Sequence, residues 1–118
     1  MLNQVVLVGR IVKDPEIKEL ENGKRVSNIT LAVPRSYKNA EGEYDTDFIN
    51  ITLWNGIAEN TAEYCQTGDM VGVKGKLETN TYEKDNQRHT SLGVIAERVT
   101  FLAQSKENKE KIEEEQER

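Results

Sequence analysis

Residues 47–55 read DFINITLWN, and the two faces of this stretch disagree with what a half-buried strand presents. Ile49, Ile51 and Leu53 alternate at the two-residue period of a β-strand and form a clean inward face. The opposite face carries Asn50 and Thr52, as a solvated face should, but it begins with Phe48 and ends with Trp54. In a fully extended strand those two rings stand about 20 Å apart. Large rings on the solvent side of a strand need a flat partner. Unpaired nucleic-acid bases, sugar rings and a second protein all qualify.

Upstream, Gln4 to Lys13 reads as the first strand, with Val5, Leu7, Gly9 and Ile11 on one parity and Val6, Val8 and Val12 on the other. Both faces are apolar, so the outer one needs cover, either from a second copy of the chain or from its own C-terminal segment. Asp14-Pro15 breaks this strand, and Asn22-Gly23 matches the two positive φ angles of a type I′ hairpin turn. A second strand is expected from Arg25 to Val33, ended by Pro34, which lacks the N–H that a ladder needs. Ser36 to Asp47 is polar and turn-rich, a long loop or an extended hairpin arm.

Downstream of Trp54 the period changes. Ile57, Thr61, Tyr64 and Cys65 fall on one helical face, with Asn55 placed as N-cap and Gly68 as the stop. Met70 to Glu78 then alternates Val71, Val73, Gly75 and Leu77 inward against Lys74, Lys76 and Glu78 outward. A turn at Asp85-Asn86 leads to a fifth strand, with Leu92, Val94 and Ala96 inward, ending near Phe101. Three strands, one short helix and two strands make an all-β chain in the element order of the OB-fold, a five-stranded Greek-key barrel. The aromatic third strand then lies on the face where such barrels bind oligonucleotides and oligosaccharides.

Composition bounds the partners. The chain has 118 residues, enough for one core, and a net charge of −5. Its last fifteen residues hold Lys106, Lys109, Lys111 and Arg118 against six glutamates. No apolar run approaches the ~20 residues that span a bilayer, and MLNQVVLVGR lacks the basic segment and cleavage site of a signal peptide. The single cysteine, Cys65, cannot form an internal disulfide, so a cytoplasmic protein without membrane contact is expected.

NQVVLVGRIVKDPEI, SNITLAVPRSY, DFINITLWNGIAENTAEY and GDMVGVKGKLETNTYE occur in that order. Together they resemble the bacterial-type single-stranded DNA-binding protein family over residues 1 to about 103. The resemblance implies an OB-fold and a homotetramer built from paired first strands. It also implies sequence-tolerant binding and protection of single-stranded DNA during replication, repair or recombination. By position it implies base stacking on Tyr37, Phe48, Trp54 and Tyr82, a chemistry that tolerates any sequence because every base has a π face. Each ring has a plainer alternative, packing under a loop.

Arg10, Arg35, Lys74, Lys76, Lys84 and Arg88 are the candidate phosphate contacts, chosen by strand parity or by a place in an arm beside an aromatic. Where the family often carries a basic residue just after the third strand, this chain has Gly56. Longer members end in a Gly- and Pro-rich linker and an acidic tip closing on Pro-Phe that recruits repair and replication enzymes. Here the end reads KENKEKIEEEQER, so such docking is not expected. The division expected is a binding domain over 1–103 and a charged tail, helical or disordered, over 104–118. This short form suits a phage, plasmid or conjugative element, or a second cellular copy; a truncated chain would read the same.

No catalytic, metal or cofactor site is expected. His89 lies in an arm and reads as a solvated or stacking ring rather than a general base. Cys65 reads as buried packing. Glu41, Glu43, Asp45 and Asp47 alternate but lack the Gly and Glu spacing of a calcium loop. Two alternatives remain open: an OB-fold module for proteins or oligosaccharides, which would bind without steep salt dependence, and a metal-dependent nuclease using the acidic loop.

Overall fold

In the computed structural model, which describes residues 1–104, the strands close on themselves. The elements are β1 (Val5–Ile11), β2 (Lys18–Glu19), β3 (Arg25–Lys38), β4 (Tyr44–Trp54), α1 (Asn55–Tyr64), β5 (Met70–Lys84) and β6 (Gln87–Ala103). The sheet runs β1-β5-β6-β4-β3, and β3 returns to β1 through Arg10↔Ala32 and Ile11↔Leu31, which closes a five-stranded barrel. The two-residue β2 adds an edge to β3 outside that barrel. The expected fold is therefore borne out.

The inward parities predicted from sequence make the core: Ile11, Ile29, Leu31, Ile51, Leu53, Val71, Val73, Val94 and Ala96 are all buried. Closure brings backbones together, and glycine permits it. A Cβ on Gly9 would stand 2.7 Å from the Ala32 carbonyl oxygen, and one on Gly75 would collide with that of Ile95 at the β5–β6 bulge. Helix α1 follows β4 directly and packs against β3, β4 and β6, burying Ala58 and Thr61, with Cys65 just beyond.

Several local expectations are corrected. Asn22-Gly23 is not a type I′ turn, because only Gly23 has positive φ, at 84°. The Gly23 N–H bonds to the Leu20 carbonyl and the Leu20 N–H to that of Lys24, a three-residue loop. Both positive φ angles occur instead at Asp85 and Asn86, 53° and 61°. Pro34 does not end its strand; it stays in register with Thr46, and β3 continues through a bulge to Lys38. The Ser36–Asp47 stretch is thus an extended hairpin arm. Asn55 is not the N-cap: it sits at φ 48°, inside the helix, and its Oδ1 accepts the Arg25 N–H at 3.1 Å. Gly68 does not stop the helix, which ends at Tyr64; the Gly68 N–H bonds to the Ile11 carbonyl. Leu92 is 67% exposed rather than inward, because β6 has left the barrel at that point.

One pairing sets the layout of everything outside the core. β4 and β6 run parallel and touch only at Ile51↔Val94 and Thr52↔Ile95. Upstream of those pairs each strand separates into its own antiparallel arm, β3–β4 closing at Lys38↔Tyr44 and β5–β6 at Lys84↔Gln87. Both arms therefore leave the barrel at one end, opposite α1. On the outer side of β1, Val6, Val8 and Val12 are exposed, as the two-faced apolar pattern predicts. The tail residues 105–118 lie outside the described residues, and so does the possibility that they cover this face. Among the described residues no helix is long and apolar enough to cross a membrane.

Candidate nucleic-acid interface

Alternation along β4 puts Tyr44, Thr46, Phe48, Asn50, Thr52 and Trp54 on the outer face. Phe48 is 65% exposed and Trp54 half-buried. Between the rings the polar residues pair across strands: the Thr30 hydroxyl donates to Asn50 Oδ1 at 2.9 Å, and that of Thr52 to Asn28 Oδ1 at 3.0 Å. Each pair joins residues directly opposite in the β3–β4 register, so the floor between Phe48 and Trp54 is fixed by four side chains.

The register then decides which cationic residues stand nearest this floor. Phe48 lies opposite Ala32, and Ala32 opposite Arg10, two strand spacings or about 10 Å away. Arg10 donates from Nη1 to the Gly68 carbonyl at 2.9 Å, a neutral acceptor, and among the described residues it makes no ion pair. Thr52 lies opposite Ile95, and Ile95 opposite Lys76, so Lys76 stands at a similar distance from the polar floor. Trp54 lies opposite Val26, and Val26 opposite Lys18 on β2, a cation that sequence reasoning missed because a two-residue strand has no periodicity. Arg25, at the same end, is bound to Glu59 at 2.7 Å.

The remaining candidates scatter. Lys74 sits between Val6 and Arg98, beside the exposed apolar face of β1 rather than on the aromatic one. On the β5–β6 arm Tyr82 pairs with His89, the rings stacked at 5.4 Å between centroids and 24° between planes. Lys84 shares their face by alternation, whereas Arg88, opposite Glu83, points to the other side. On the β3–β4 arm Tyr37 is 62% exposed. It shares a parity with Arg35 and Asp47, opposite that of Phe48. Arg35 donates from Nε and Nη2 to the Asp47 carboxylate at 2.9–3.2 Å. That bond raises the guanidinium pKa above its ordinary value and lowers that of Asp47. Tyr44 is exposed too, with Lys38 Nζ 5.8 Å from its ring centre. Carrying the parity of Phe48 back four residues would have found it.

The acidic loop is not arranged around a metal ion: Asp47 is bound to Arg35 at 2.9 Å, and Asp45 lies 3.9 Å from the same guanidinium. Among the described residues no group of three His, Cys, Asp or Glu is placed to hold a metal ion. Burial pushes the Cys65 thiol up to about 12, with Asp69 adding to the shift, so it stays protonated at neutral pH.

A model described as the single-strand binding protein family matches residues 2–102. The chain belongs to the single-strand binding protein family. It is 48% identical over 103 residues to single-stranded DNA-binding protein B of Bacillus subtilis (strain 168), covering 86% of this chain and 91% of that one. Identity is also 48% to single-stranded DNA-binding protein 2 of Staphylococcus aureus (strain Mu50), over 86% and 73% of the two chains. Among solved structures, a Plasmodium falciparum SSB in complex with ssDNA superposes with a TM-score of 0.74 at 25% identity, covering 86% of this chain and 96% of that one. Membership of the single-strand binding family thus bears out the resemblance carried by the four sequence blocks.

Proposed function

We propose that this chain binds and protects single-stranded DNA without sequence preference, as a non-enzymatic protein acting in the cytoplasm in replication, repair or recombination. One observation carries the reading: Phe48 and Trp54 stand outward on β4 with a hydrogen-bonded polar floor between them. Bases stack on these rings and on Tyr37 and Tyr82, each worth about 1–3 kcal/mol. Arg10, Lys76, Lys84 and Arg88 follow the phosphates and set the salt dependence, while Lys74, beside Val6, falls at the edge of the β1 face. Residues 1–103 form the binding domain and 104–118 a separate charged tail. The exposed Val6, Val8 and Val12 face supports assembly through β1 into a homotetramer.

Anisotropy of labelled oligo-dT and of a duplex of equal length, measured across salt concentrations, tests this reading. The single strand is expected to bind with a steep salt slope and the duplex far more weakly, because only unpaired bases offer their faces. Equal binding of both would overturn stacking. Binding of neither would leave the aromatic face to sugars or proteins. Sedimentation of Val8→Glu tests the assembly; a sedimentation profile identical to that of the wild type would remove β1 from the interface.

A further inference from the structure

We infer that Arg35 does not contact phosphate: Asp47 positions its guanidinium against the Tyr37 ring, making a preset stacking platform on the β3–β4 arm that adds nothing to the salt dependence of binding. This rests on the single-strand-binding reading above and assigns a role within it.

The geometry leaves Arg35 little to offer an anion. Nε lies 3.2 and 3.1 Å from the two carboxylate oxygens of Asp47, and Nη2 lies 2.9 Å from Oδ1. The remaining nitrogen, Nη1, is 3.9 Å from Asp45 Oδ2. A guanidinium recognises phosphate through a planar fork of N–H groups, and Asp47 occupies the one that Nε and Nη2 form. Two carboxylates therefore meet this one cation before any DNA arrives. Around it the arm is acidic: Arg35 and Lys38 stand against Glu41, Glu43, Asp45 and Asp47. A phosphate approaching here is repelled by the net negative charge, whereas an uncharged base face is not.

What the pair does supply is orientation. Arg35 Cζ lies 5.9 Å from the centre of the Tyr37 ring, within range of a cation–π contact. The pair is nearly half exposed, so its contribution to fold stability is small. A guanidinium plane is itself a surface on which bases stack, so Tyr37 and Arg35 together present a wider platform than either alone.

The experiment is oligo-dT affinity across salt for the wild type, Arg35→Ala, Arg35→Lys and Asp47→Asn. Arg35→Ala and Arg35→Lys are expected to lower affinity severalfold at every salt with the wild-type slope retained, since each removes the plane. Asp47→Asn is expected to free the cation and steepen the slope of log affinity against log salt by about 0.7, the value of one single-strand phosphate contact. A slope flattened by about 0.7 in Arg35→Ala would make Arg35 an ordinary phosphate ligand and overturn the assignment. So would wild-type affinity in Arg35→Ala, or an unchanged slope in Asp47→Asn. If the wild-type chain binds no oligo-dT, the binding reading itself falls, an outcome distinct from any pattern of slopes.

Discussion

The two arms leave the barrel at the same end, because β4 and β6 run parallel, yet they meet solvent with different chemistry. On the β3–β4 arm both cations are engaged, Arg35 by Asp47 and Asp45, Lys38 above the Tyr44 ring. On the β5–β6 arm Tyr82 and His89 stack, Lys84 shares their face, and Lys76 stands at the root. Among the described residues neither lysine makes an ion pair. Stacking and charge neutralisation act together in most nucleic-acid binders. In this chain both arms carry rings, Tyr37 on one and Tyr82 on the other, but among the described residues only the β5–β6 arm sets lysines without ion pairs beside them, which makes the two contributions separable by experiment.

The largest expected effects come from the rings. Tyr82→Ala and Tyr37→Ala should each weaken oligo-dT binding by about 1–3 kcal/mol with circular dichroism unchanged. Loss on one arm alone would reduce the contrast to a single working arm. Next come the lysines: Lys76→Ala and Lys84→Ala should each flatten the salt slope by about 0.7, a change that no single substitution of a β3–β4 arm cation should produce. Smaller again is the turn that closes the second arm. Asp85 and Asn86 both hold positive φ, so Asn86→Gly should stabilise the protein by up to about 1 kcal/mol, read as a raised melting temperature. An unchanged or lowered value would mean that the arm melts apart from the barrel.

The smallest effect is in acid. Arg35 holds the Asp47 carboxyl below its ordinary range, through the hydrogen bond first and the charge second. A depressed folded pKa means that the pair's contribution is complete above the unfolded carboxylate pKa of about 4. It is lost as pH falls through the lower folded value. A carbon-detected titration of Asp47 in the wild type and in Arg35→Ala should show the midpoint rise in the variant. Coincident curves would dissolve the pair on which the contrast between arms rests.

Most of the barrel was legible from alternation alone, because a closed sheet has one dry side and the chain marks it at Ile51, Leu53, Val71, Val73, Val94 and Ala96. Alternation failed where the strands outrun the barrel. Leu92 keeps the inward parity but has no interior left to face, and Pro34 sits in a strand that extends past the point where its missing N–H should have ended it. Turn chemistry misled at Asn22-Gly23 because a three-residue loop uses the same glycine with one positive φ instead of two. Alternation put Phe48 and Trp54 on one outer face and picked out Arg10 and Lys76 as outward cations, but not which ring or floor residue each stands near. Arg10 stands across Ala32 from Phe48 and Lys18 across Val26 from Trp54, and both relations are properties of register between distant strands. The Arg35–Asp47 pair was hidden for the same reason, twelve residues apart with a bulge beginning after Pro34.

Unpaired bases are expected to lie on the outer face of β4. Trp54 is the only tryptophan, so its fluorescence reports on that face directly. The decisive measurement is a titration of the protein with oligo-dT, with an equal-length duplex as control and Phe48→Ala in parallel. Strong quenching by the single strand, absent with duplex and requiring more DNA in Phe48→Ala, is the predicted result. Tight binding of oligo-dT with unchanged Trp54 emission would place the DNA elsewhere on the barrel and remove the outer face of β4 from the binding site.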